Sequence, residues 1–390
     1  MTKQKHKRVY LDNAATTKPF DEVVLRVAEV MKQHFGNPSS LHQLGLEAED
    51  VLQHSREMVA ASLQVQPAEI TFTSGGTEAN NLVLKGAARA HHRKGKHFIA
   101  SSIEHKSVLN TLQSMEEEGY EVTYLPVKPD GIIDVDMLER ALRDDTILVS
   151  VMHVNNETGA IQPVDQVGDI IRSHPGKPLF HVDAVQSYGK IPLHPKQSGI
   201  DLLTISSHKI HGPKGMGALY KNHDVRISPL IEGGEQERGL RSGTENLPGI
   251  AGFAKAVEVN FTDAFDKQNY MRKIRNNLND KLLSEFKDIR INTPEDDHAA
   301  PHILNVSFPG MKGEVLLRNL EASGIYVSTG SACTSGRNTP SHVLNAMGLR
   351  EEEVQGALRF SFSSLNNQDE VAYVMEHIVP AVQRLNKMIS

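Results

Sequence analysis

The sequence ITFTSGGTEANNLVL, residues 70–84, joins an apolar β-rich run to a helical segment through Ser74, Gly75, Gly76 and Thr77. Two glycines let a ligand approach the backbone closely, and the free N–H groups at the start of the helix attract negative charge. The pattern fits an anion site, above all for phosphate, and it equally fits a tight strand-to-helix turn capped by Thr77. It is not a nucleotide-binding P-loop, because no Gly-Lys-Ser/Thr follows.

More strand-like runs follow this segment and alternate with helical patterns. They lie at 97–101, 121–127, 146–154, 179–184 and 201–206. Upstream, a helical pattern at 21–35 places Val23, Val27 and Met31 on one face. The alternation predicts an α/β fold with a mainly parallel central sheet and helices on both faces. Right-handed crossovers bring the carboxyl ends of such strands to one edge, where ligands bind.

The pattern changes after about residue 258, where a long polar helical stretch begins. Short strands are then predicted at 303–308, 324–328 and 358–363, set among helices. We therefore predict a large ligand-binding domain at 17–258. A smaller α+β domain is formed by 1–16 and 259–390, which is within the usual size of a domain.

The composition is that of an ordinary globular protein of 390 residues, with a formal net charge of −6 and one cysteine, Cys333. No apolar run is long enough for a membrane span, and the basic start lacks the apolar core of a secretory signal. The charge gives no reason to expect direct nucleic-acid binding. A single cysteine excludes an intrachain disulfide and argues against a thiolate zinc site, and we expect a cytoplasmic protein.

Two further strands end in residues that can carry chemistry. The run LFHVDAVQS, 179–187, ends its apolar part at Asp183, a position that faces the ligand crevice or caps a helix. The run DLLTISSHK, 201–209, ends at Lys209, and glycines and Pro213 follow it. Lysines normally lie on exposed helix faces, whereas an amine in a partly desolvated crevice can react with an aldehyde.

A single cofactor explains these pieces together. Pyridoxal phosphate needs a phosphate cradle, a lysine for its aldehyde and a carboxylate to keep its pyridine nitrogen protonated. The segment Ser74–Thr77, Lys209 and Asp183 supply these three in turn. The combination is more specific than any one of its members.

The chain as a whole resembles the group-I cysteine desulfurases, similar to the NifS and IscS enzymes, which have the class V aminotransferase form of fold type I. The resemblance extends in order along almost the whole chain. It rests on YLDNAATT (10–17), GNPSSLH (36–42), TSGGTEANN (73–81), EHKSVLN (104–110), HVNNETG (153–159), HVDAVQS (181–187), SSHKIHGPKGMGALY (206–220), RSGTEN (241–246) and GSACTSG (330–336).

The resemblance implies roles for residues around the cofactor. Lys209 would hold the cofactor aldehyde, Asp183 would pair with the pyridine nitrogen, and His105 would stack on the ring and move protons. Gln186 would bond the phenolic oxygen. The implied phosphate ligands are Gly76, Thr77, Ser206 and His208, with Thr244 reaching over from the second subunit of a homodimer.

Further roles concern the substrate and the sulfur. Asn156 and Arg359 are the implied binders of the substrate carboxylate, and a guanidinium suits a carboxylate bidentately. Cys333 lies in STGSACTSGRNTPS, 328–341, where nine of fourteen residues are Ser, Thr or Gly. Such a polar loop is suited to carrying a reactive thiolate, which would hold sulfur as a persulfide. No intrinsic metal is expected, although in some relatives this cysteine transiently contacts an iron–sulfur cluster.

The implied reaction converts L-cysteine to L-alanine and passes the persulfide sulfur to an acceptor protein, for iron–sulfur assembly or tRNA and cofactor thiolation. Two alternatives stay open at this point. One is another class V reaction, that of a selenocysteine lyase or an aminotransferase. The other is a docking platform with vestigial catalysis. The histidines in AHHRKGKH, 90–97, also suggest a metal, but a solvated helix end is the better interpretation.

Overall fold

The computed structural model describes residues 7–329 and 340–389. Cys333 and most of the predicted cysteine loop at 328–341 therefore lie outside the described residues. Among the residues that are described, no helix is both long and apolar enough to cross a bilayer.

Twelve strands are present in the described part of the chain. They are β1 (Val9–Tyr10), β2 (Ile70–Thr73), β3 (His97–Ser101), β4 (Glu121–Leu125), β5 (Thr146–Ser150), β6 (Leu179–Asp183), β7 (Leu202–Ser206), β8 (Gly217–Lys221), β9 (Arg290–Ile291), β10 (Ile303–Ser307), β11 (Ile325–Tyr326) and β12 (Ala357–Ser361).

The same residues form twelve α-helices. They are α1 (Asp21–Gln33), α2 (Gln43–Ser62), α3 (Gly76–Ala90), α4 (Lys106–Glu117), α5 (Val135–Ala141), α6 (Val164–Ser173), α7 (Leu247–Phe261), α8 (Ala264–Glu285), α9 (Gly313–Ala322), α10 (His342–Ala346), α11 (Glu351–Gln355) and α12 (Gln368–Ile389).

The central sheet has seven strands in the order β2-β8-β7-β6-β5-β3-β4. Strands β7, β6, β5, β3 and β4 are mutually parallel, while β8 runs antiparallel to both of its neighbours. The predicted mainly parallel sheet is therefore confirmed. The strand β8 was missed, because its short run GALYK follows a glycine-rich turn and shows little periodicity.

Helices cover both faces of this sheet, as predicted. On one face, α3 and α4 pack over alternate strand residues such as Phe98 and Ala100. On the other face, α1, α2, α6 and α7 share a core with the intervening residues, including Ile99 and Val149. The alternation of side chains along each strand produces these two cores.

The helix α1 was predicted with a different buried face. Val23 and Val30 are its buried residues, and Met31, expected on the same face as Val23, is 64% exposed. Steps of four residues drift around a helix of 3.6 residues per turn, so a seven-residue spacing describes this contact better.

The remaining elements build a second core. Strands β12, β10 and β9 form an antiparallel sheet, and β1 pairs in parallel with β11. Residues of α8, α9 and α12 pack with these strands and with Val9 and Leu11 from the start of the chain. The domain boundaries, 17–258 against 1–16 with 259–390, remain a prediction.

Candidate active site

A cavity of about 260 Å³ lies at the carboxyl ends of the parallel strands, beside β12. Ten of the twelve predicted site residues line it. These are Gly76, Thr77, His105, Asn156, Asp183, Gln186, Ser206, His208, Lys209 and Arg359. The others in its wall are Ala14, Ala15, Asn80, Ser107, Met152 and Val185.

The floor of the cavity is a cradle at the start of α3. Gly75 has φ of +153°, a conformation that side chains disfavour. A Cβ added at Gly76 would lie 2.8 Å from Val185 Cγ2. The Ser206 hydroxyl is buried and has no hydrogen-bond partner among the described residues. Together with the free N–H groups of the first turn of α3, this geometry suits an anion such as phosphate.

Asp183 ends β6, is 4% exposed and is held in place by two donors. The side-chain nitrogen of Asn80 donates to its Oδ2 at 2.8 Å, and the backbone N–H of Val185 donates to its Oδ1 at 3.0 Å. The same nitrogen of Asn80 also donates to the Ser107 hydroxyl at 2.8 Å. Sequence reasoning missed Asn80, although it lies one turn after Gly76 and Thr77 and hence faces the same cavity.

His105 is the N-cap of α4, with its Nδ1 2.8 Å from the Ser107 hydroxyl and 3.2 Å from the Ser107 N–H, which donates to it. Burial lowers the pKa of His105; the charge of Lys209 lowers it further, and Asp183 opposes the shift. The ring is therefore neutral at pH 7. Since the cap fixes Nδ1 as an acceptor, Nε2 carries the proton.

Lys209 closes a short 3₁₀ turn, Ser207–Lys209, directly after β7. Its Nζ donates to the carbonyl oxygens of Ala14 at 2.6 Å and Ala15 at 2.8 Å. The Gln186 side chain donates to the same Ala14 oxygen at 2.8 Å. The segment near Ala14 thus forms one wall of the cavity, which the sequence pattern did not reveal.

His208 lies beside Lys209, with its Nδ1 3.2 Å from the Thr16 hydroxyl. Burial, aided by the Lys209 charge, lowers the pKa of His208 to about 4. The imidazole is neutral at pH 7, so it meets an anion as a hydrogen-bonding group and not as a cation.

Arg359 reaches the cavity from β12 and is 2% exposed. One guanidinium nitrogen donates to Asp12 Oδ1 at 2.8 Å, and the other donates to the backbone oxygen of Asn156 at 2.7 Å. Its Nε is buried without a partner in the described part of the chain. Asp12 thus supplies one carboxylate for this buried cation, and the substrate carboxylate that the resemblance implies for Arg359 stays a prediction.

Two predicted residues are not in this wall. Thr244 is exposed and does not line the cavity, and Cys333 lies outside the described residues. Within 7–329 and 340–389, no three His, Cys, Asp or Glu residues are grouped so that they could hold a metal ion. The histidines at 91, 92 and 97 accordingly form no such cluster.

The chain matches the family described as aminotransferase class-V over residues 9–374. It is 43% identical over 383 residues to the putative cysteine desulfurase IscS 1 of Bacillus subtilis, covering 97% of this chain and 99% of that protein. It is 44% identical to the cysteine desulfurase IscS of Methanosarcina thermophila, covering 98% and 94%. A solved NifS-like protein superposes with a TM-score of 0.92 at 41% identity, covering 97% and 100%.

The fold and the cavity thus define an enzyme that uses pyridoxal phosphate, and the chain belongs to the aminotransferase class-V family. Its activity is that of a cysteine desulfurase of the NifS and IscS group. The predictions of the α/β fold, the cofactor and the reaction are confirmed.

Proposed function

We propose that the 260 Å³ cavity is the site at which L-cysteine loses its sulfur, and that the residues in its wall have the roles that the resemblance implies. One observation carries this proposal. Lys209, Asp183 and the cradle at Gly76 come from three separate strand ends and line the same small space. An amine, a carboxylate and an anion site are the three groups that pyridoxal phosphate requires.

The cavity fits the cofactor at its phosphate end. The buried hydroxyl of Ser206 has no partner among the described residues, and a side chain at Gly76 would collide with Val185. A buried hydroxyl without a partner is costly, so it favours a ligand that accepts its hydrogen bond. Bound there, pyridoxal phosphate supplies an electron sink for bonds at the substrate Cα and Cβ.

Asp183 and Gln186 would orient the ring. The two donors to Asp183 hold its carboxylate in a fixed orientation, as is needed to pair with a protonated pyridine nitrogen. Gln186, fixed through Ala14, lies on the same wall as Lys209. Their shared contact with the Ala14 oxygen supports a site in which the phenolic oxygen and the aldehyde of the cofactor would meet neighbouring side chains.

Arg359 and Asn156 would bind the substrate carboxylate. The Arg359 guanidinium is buried, and among the described residues its Nε has no partner and its one carboxylate partner is Asp12, which is partly exposed. A second carboxylate in the cavity would therefore meet a charge that is already desolvated and oriented.

His105 and Lys209 would move protons. The His105 ring is held by Ser107, has a pKa lowered by burial and carries its proton on Nε2. A neutral imidazole can accept a proton at one step and return it at another. Lys209, whose Nζ would hold the cofactor aldehyde in the same cavity, would serve as the second such group.

Cys333 would take the sulfur. Its thiolate forms an S–S bond with the substrate sulfur while the Cβ–S bond breaks, and the electron pair of that bond remains on carbon. The proton of the substrate thiol ends on Cβ, so L-cysteine and the thiolate give L-alanine and a persulfide, and no external oxidant is needed. The persulfide would pass to an acceptor protein of iron–sulfur assembly or of tRNA or cofactor thiolation in the cytoplasm.

A second copy of the chain would complete the site. Leu25, Phe35 and Leu41 are 70%, 70% and 95% exposed, and they lie on α1 and the loop that follows it. Large apolar side chains that are exposed over adjoining stretches of the chain favour an interface. Thr244 is also exposed and so is available to a partner's cradle. These observations support the homodimer; Leu25→Glu should yield monomers in light scattering.

Two variants test the proposal. Lys209→Ala should lose the absorbance band of lysine-bound cofactor. Cys333→Ser should keep that band and lose persulfide formation. Sulfur release by Cys333→Ser at the normal rate would remove Cys333 from the reaction and favour another class V activity. A wild-type protein that binds no cofactor would leave only a docking platform.

A further inference from the structure

Two buried carboxyl groups stand immediately beside two residues of the cavity wall. Glu104 precedes His105, and Glu157 follows Asn156; they are 0% and 5% exposed. Both belong to strand-end segments, but neither lines the cavity. Buried acids require a specific partner, so their contacts show what they do.

Glu157 binds the C-terminal end (the far end) of the segment 328–341, which contains Cys333. The Ser341 hydroxyl donates to Glu157 Oε2 at 2.5 Å, and this contact is buried. Ser341 also caps α10, since its hydroxyl accepts from the Leu344 N–H at 3.1 Å. Cys333 precedes Ser341 by eight positions in the sequence. The carboxyl of Glu157 thus fixes Ser341, next to the point where the described chain resumes after this segment.

The N-terminal end of this segment is paired with Arg359, the other residue that we propose to bind the substrate carboxylate. The backbone of Ser328 exchanges hydrogen bonds with that of Arg359, at 3.1 Å and 2.7 Å. Arg359 in turn donates to the Asn156 oxygen, one residue before Glu157. One end of the segment is therefore anchored to Arg359, and the other end is anchored to Glu157, the residue after Asn156.

Glu104 reinforces the far anchor. The His342 Nε2 lies 3.0 Å from the Glu104 backbone oxygen, one residue before His105. The Glu104 carboxyl itself accepts from the Ser101 hydroxyl and the Met152 N–H, which ties β3 to the segment after β5. Burial raises the pKa of Glu157 to about 7, and the Ser341 hydroxyl and the Arg359 charge oppose the shift.

We propose that Glu157 is a positioning residue for sulfur transfer: its contact with Ser341 fixes the described chain that follows the Cys333 segment against the residue after Asn156. This inference rests on the proposed function, because it takes Asn156 and Arg359 as the substrate site. Positioning of two reacting groups affects the transfer step, whereas it leaves the affinity for cysteine nearly unchanged.

The test uses the full-length holoenzyme and separates binding from transfer. Cysteine binding is followed by the change in cofactor absorbance, and persulfide on Cys333 is followed in a single turnover by mass spectrometry. For Glu157→Ala we expect the persulfide rate to fall about tenfold or more, with the cysteine Kd within about threefold of wild type. Glu157→Gln keeps an oxygen that accepts from Ser341, and it should recover most of the rate.

Matched variants keep this test decisive. Glu353 is another buried acid, and it does not line the cavity. Its carboxylate accepts a hydrogen bond from the Arg350 N–H at 2.8 Å. Glu353→Ala should lower stability without changing the persulfide rate. If Glu157→Ala does not fold, the persulfide rates of Ser341→Ala and Ser341→Thr are compared instead. Only threonine keeps the hydroxyl that donates to Glu157, so only Ser341→Thr should retain the rate.

The outcomes separate this inference from the proposed function. The positioning role of Glu157 is overturned if Glu157→Ala changes neither the persulfide rate nor the cysteine Kd, or if it weakens both to the same extent. It is also overturned if Glu157→Gln is as slow in persulfide formation as Glu157→Ala. Asn156→Ala reports on the substrate site alone: an unchanged cysteine Kd there refutes that assignment. The absence of any persulfide on wild-type Cys333 would refute the proposed sulfur route itself.

Discussion

The side-chain nitrogen of Asn80 lies 2.8 Å from Asp183 Oδ2 and joins helix α3 to the end of strand β6. Both residues are buried, at 1% and 4% exposure. A hydrogen bond to a buried carboxylate is stronger than one between neutral groups. The helix that begins at the anion cradle therefore also orients the carboxylate at the opposite end of the proposed ring site.

Removing this contact should weaken cofactor binding. In Asn80→Ala, Asp183 keeps only the Val185 donor, and the loss of a hydrogen bond to a charged group costs about 1.5–3 kcal/mol. We expect the Kd of pyridoxal phosphate for the apoenzyme to rise about tenfold or more. Absorbance titration measures this. Asn319→Ala, which removes a half-buried asparagine that bonds within α9, should leave the Kd unchanged.

Gly76→Ala should act on the phosphate alone. The added Cβ would lie 2.8 Å from Val185 Cγ2, so the cradle must widen. We expect the affinity for pyridoxal phosphate to fall about tenfold. Hydrogen bonds from the N–H groups at the start of α3 to the charged phosphate depend strongly on where those groups lie. Pyridoxal without phosphate serves as the control ligand. Equal losses for both ligands would show that Gly76 does not face the phosphate.

The Arg56–Glu237 ion pair should be important for stability. Glu237 accepts from both terminal nitrogens of Arg56, at 2.8 and 2.9 Å, and from the Phe72 N–H at the edge of the central sheet. Glu237→Ala leaves a buried guanidinium uncompensated, which should cost about 3–5 kcal/mol in urea unfolding. The double variant Arg56→Met, Glu237→Leu should recover much of this loss. A single variant as stable as wild type would contradict the prediction.

Acid should destabilise the fold through buried neutral histidines. Burial lowers the pKa of His153 to about 4 and that of His181 to about 3. At pH values between these and the unfolded pKa of about 6.5, the unfolded chain binds more protons than the folded chain. The contribution of the two histidines to the free energy of unfolding is therefore fully present above about pH 6.5 and decreases as the pH falls. Each group contributes a slope of about 1.4 kcal/mol per pH unit.

The variant His181→Gln tests this slope. His181 lies between the Ser150 and Thr204 hydroxyls, at 2.8 and 3.1 Å, and glutamine can bond to both without titrating. Urea unfolding between pH 6.5 and 4 should show a shallower pH dependence for His181→Gln than for wild type. The exposed His223, with 72% of its side chain accessible, provides the control His223→Gln. Parallel curves for all three proteins would contradict the assignment.

The sequence predicted the parts of the fold that depend on local pattern. Strands β2, β3, β5, β6 and β7 begin within one residue of their predicted starts, because apolar runs and turn residues bound them. Their ends were predicted up to four residues too long, as in 146–154 against Thr146–Ser150. After Ser150 the chain leaves the sheet, but the residues that follow are still apolar because they are buried beside the cavity.

The site was predicted as a set of residues but not as a geometry. Asp183 and Lys209 could be found because strand ends carry ligands in α/β sheets. The role of Ala14 oxygen, which accepts from Lys209 and Gln186, and the pairing of Asp12 with Arg359 depend on contacts across the two cores. Such distant contacts leave no local periodicity, so no pattern in one sequence reveals them.

The most direct test of the account is to reduce the holoenzyme with sodium borohydride and to map the cofactor by peptide mass spectrometry. We expect the reduced cofactor on Lys209. The competing amine is Lys190, which is 9% exposed and whose pKa burial and the Lys209 charge lower to about 7. Cofactor on Lys190, or on no lysine at all, would contradict the assignment of this cavity.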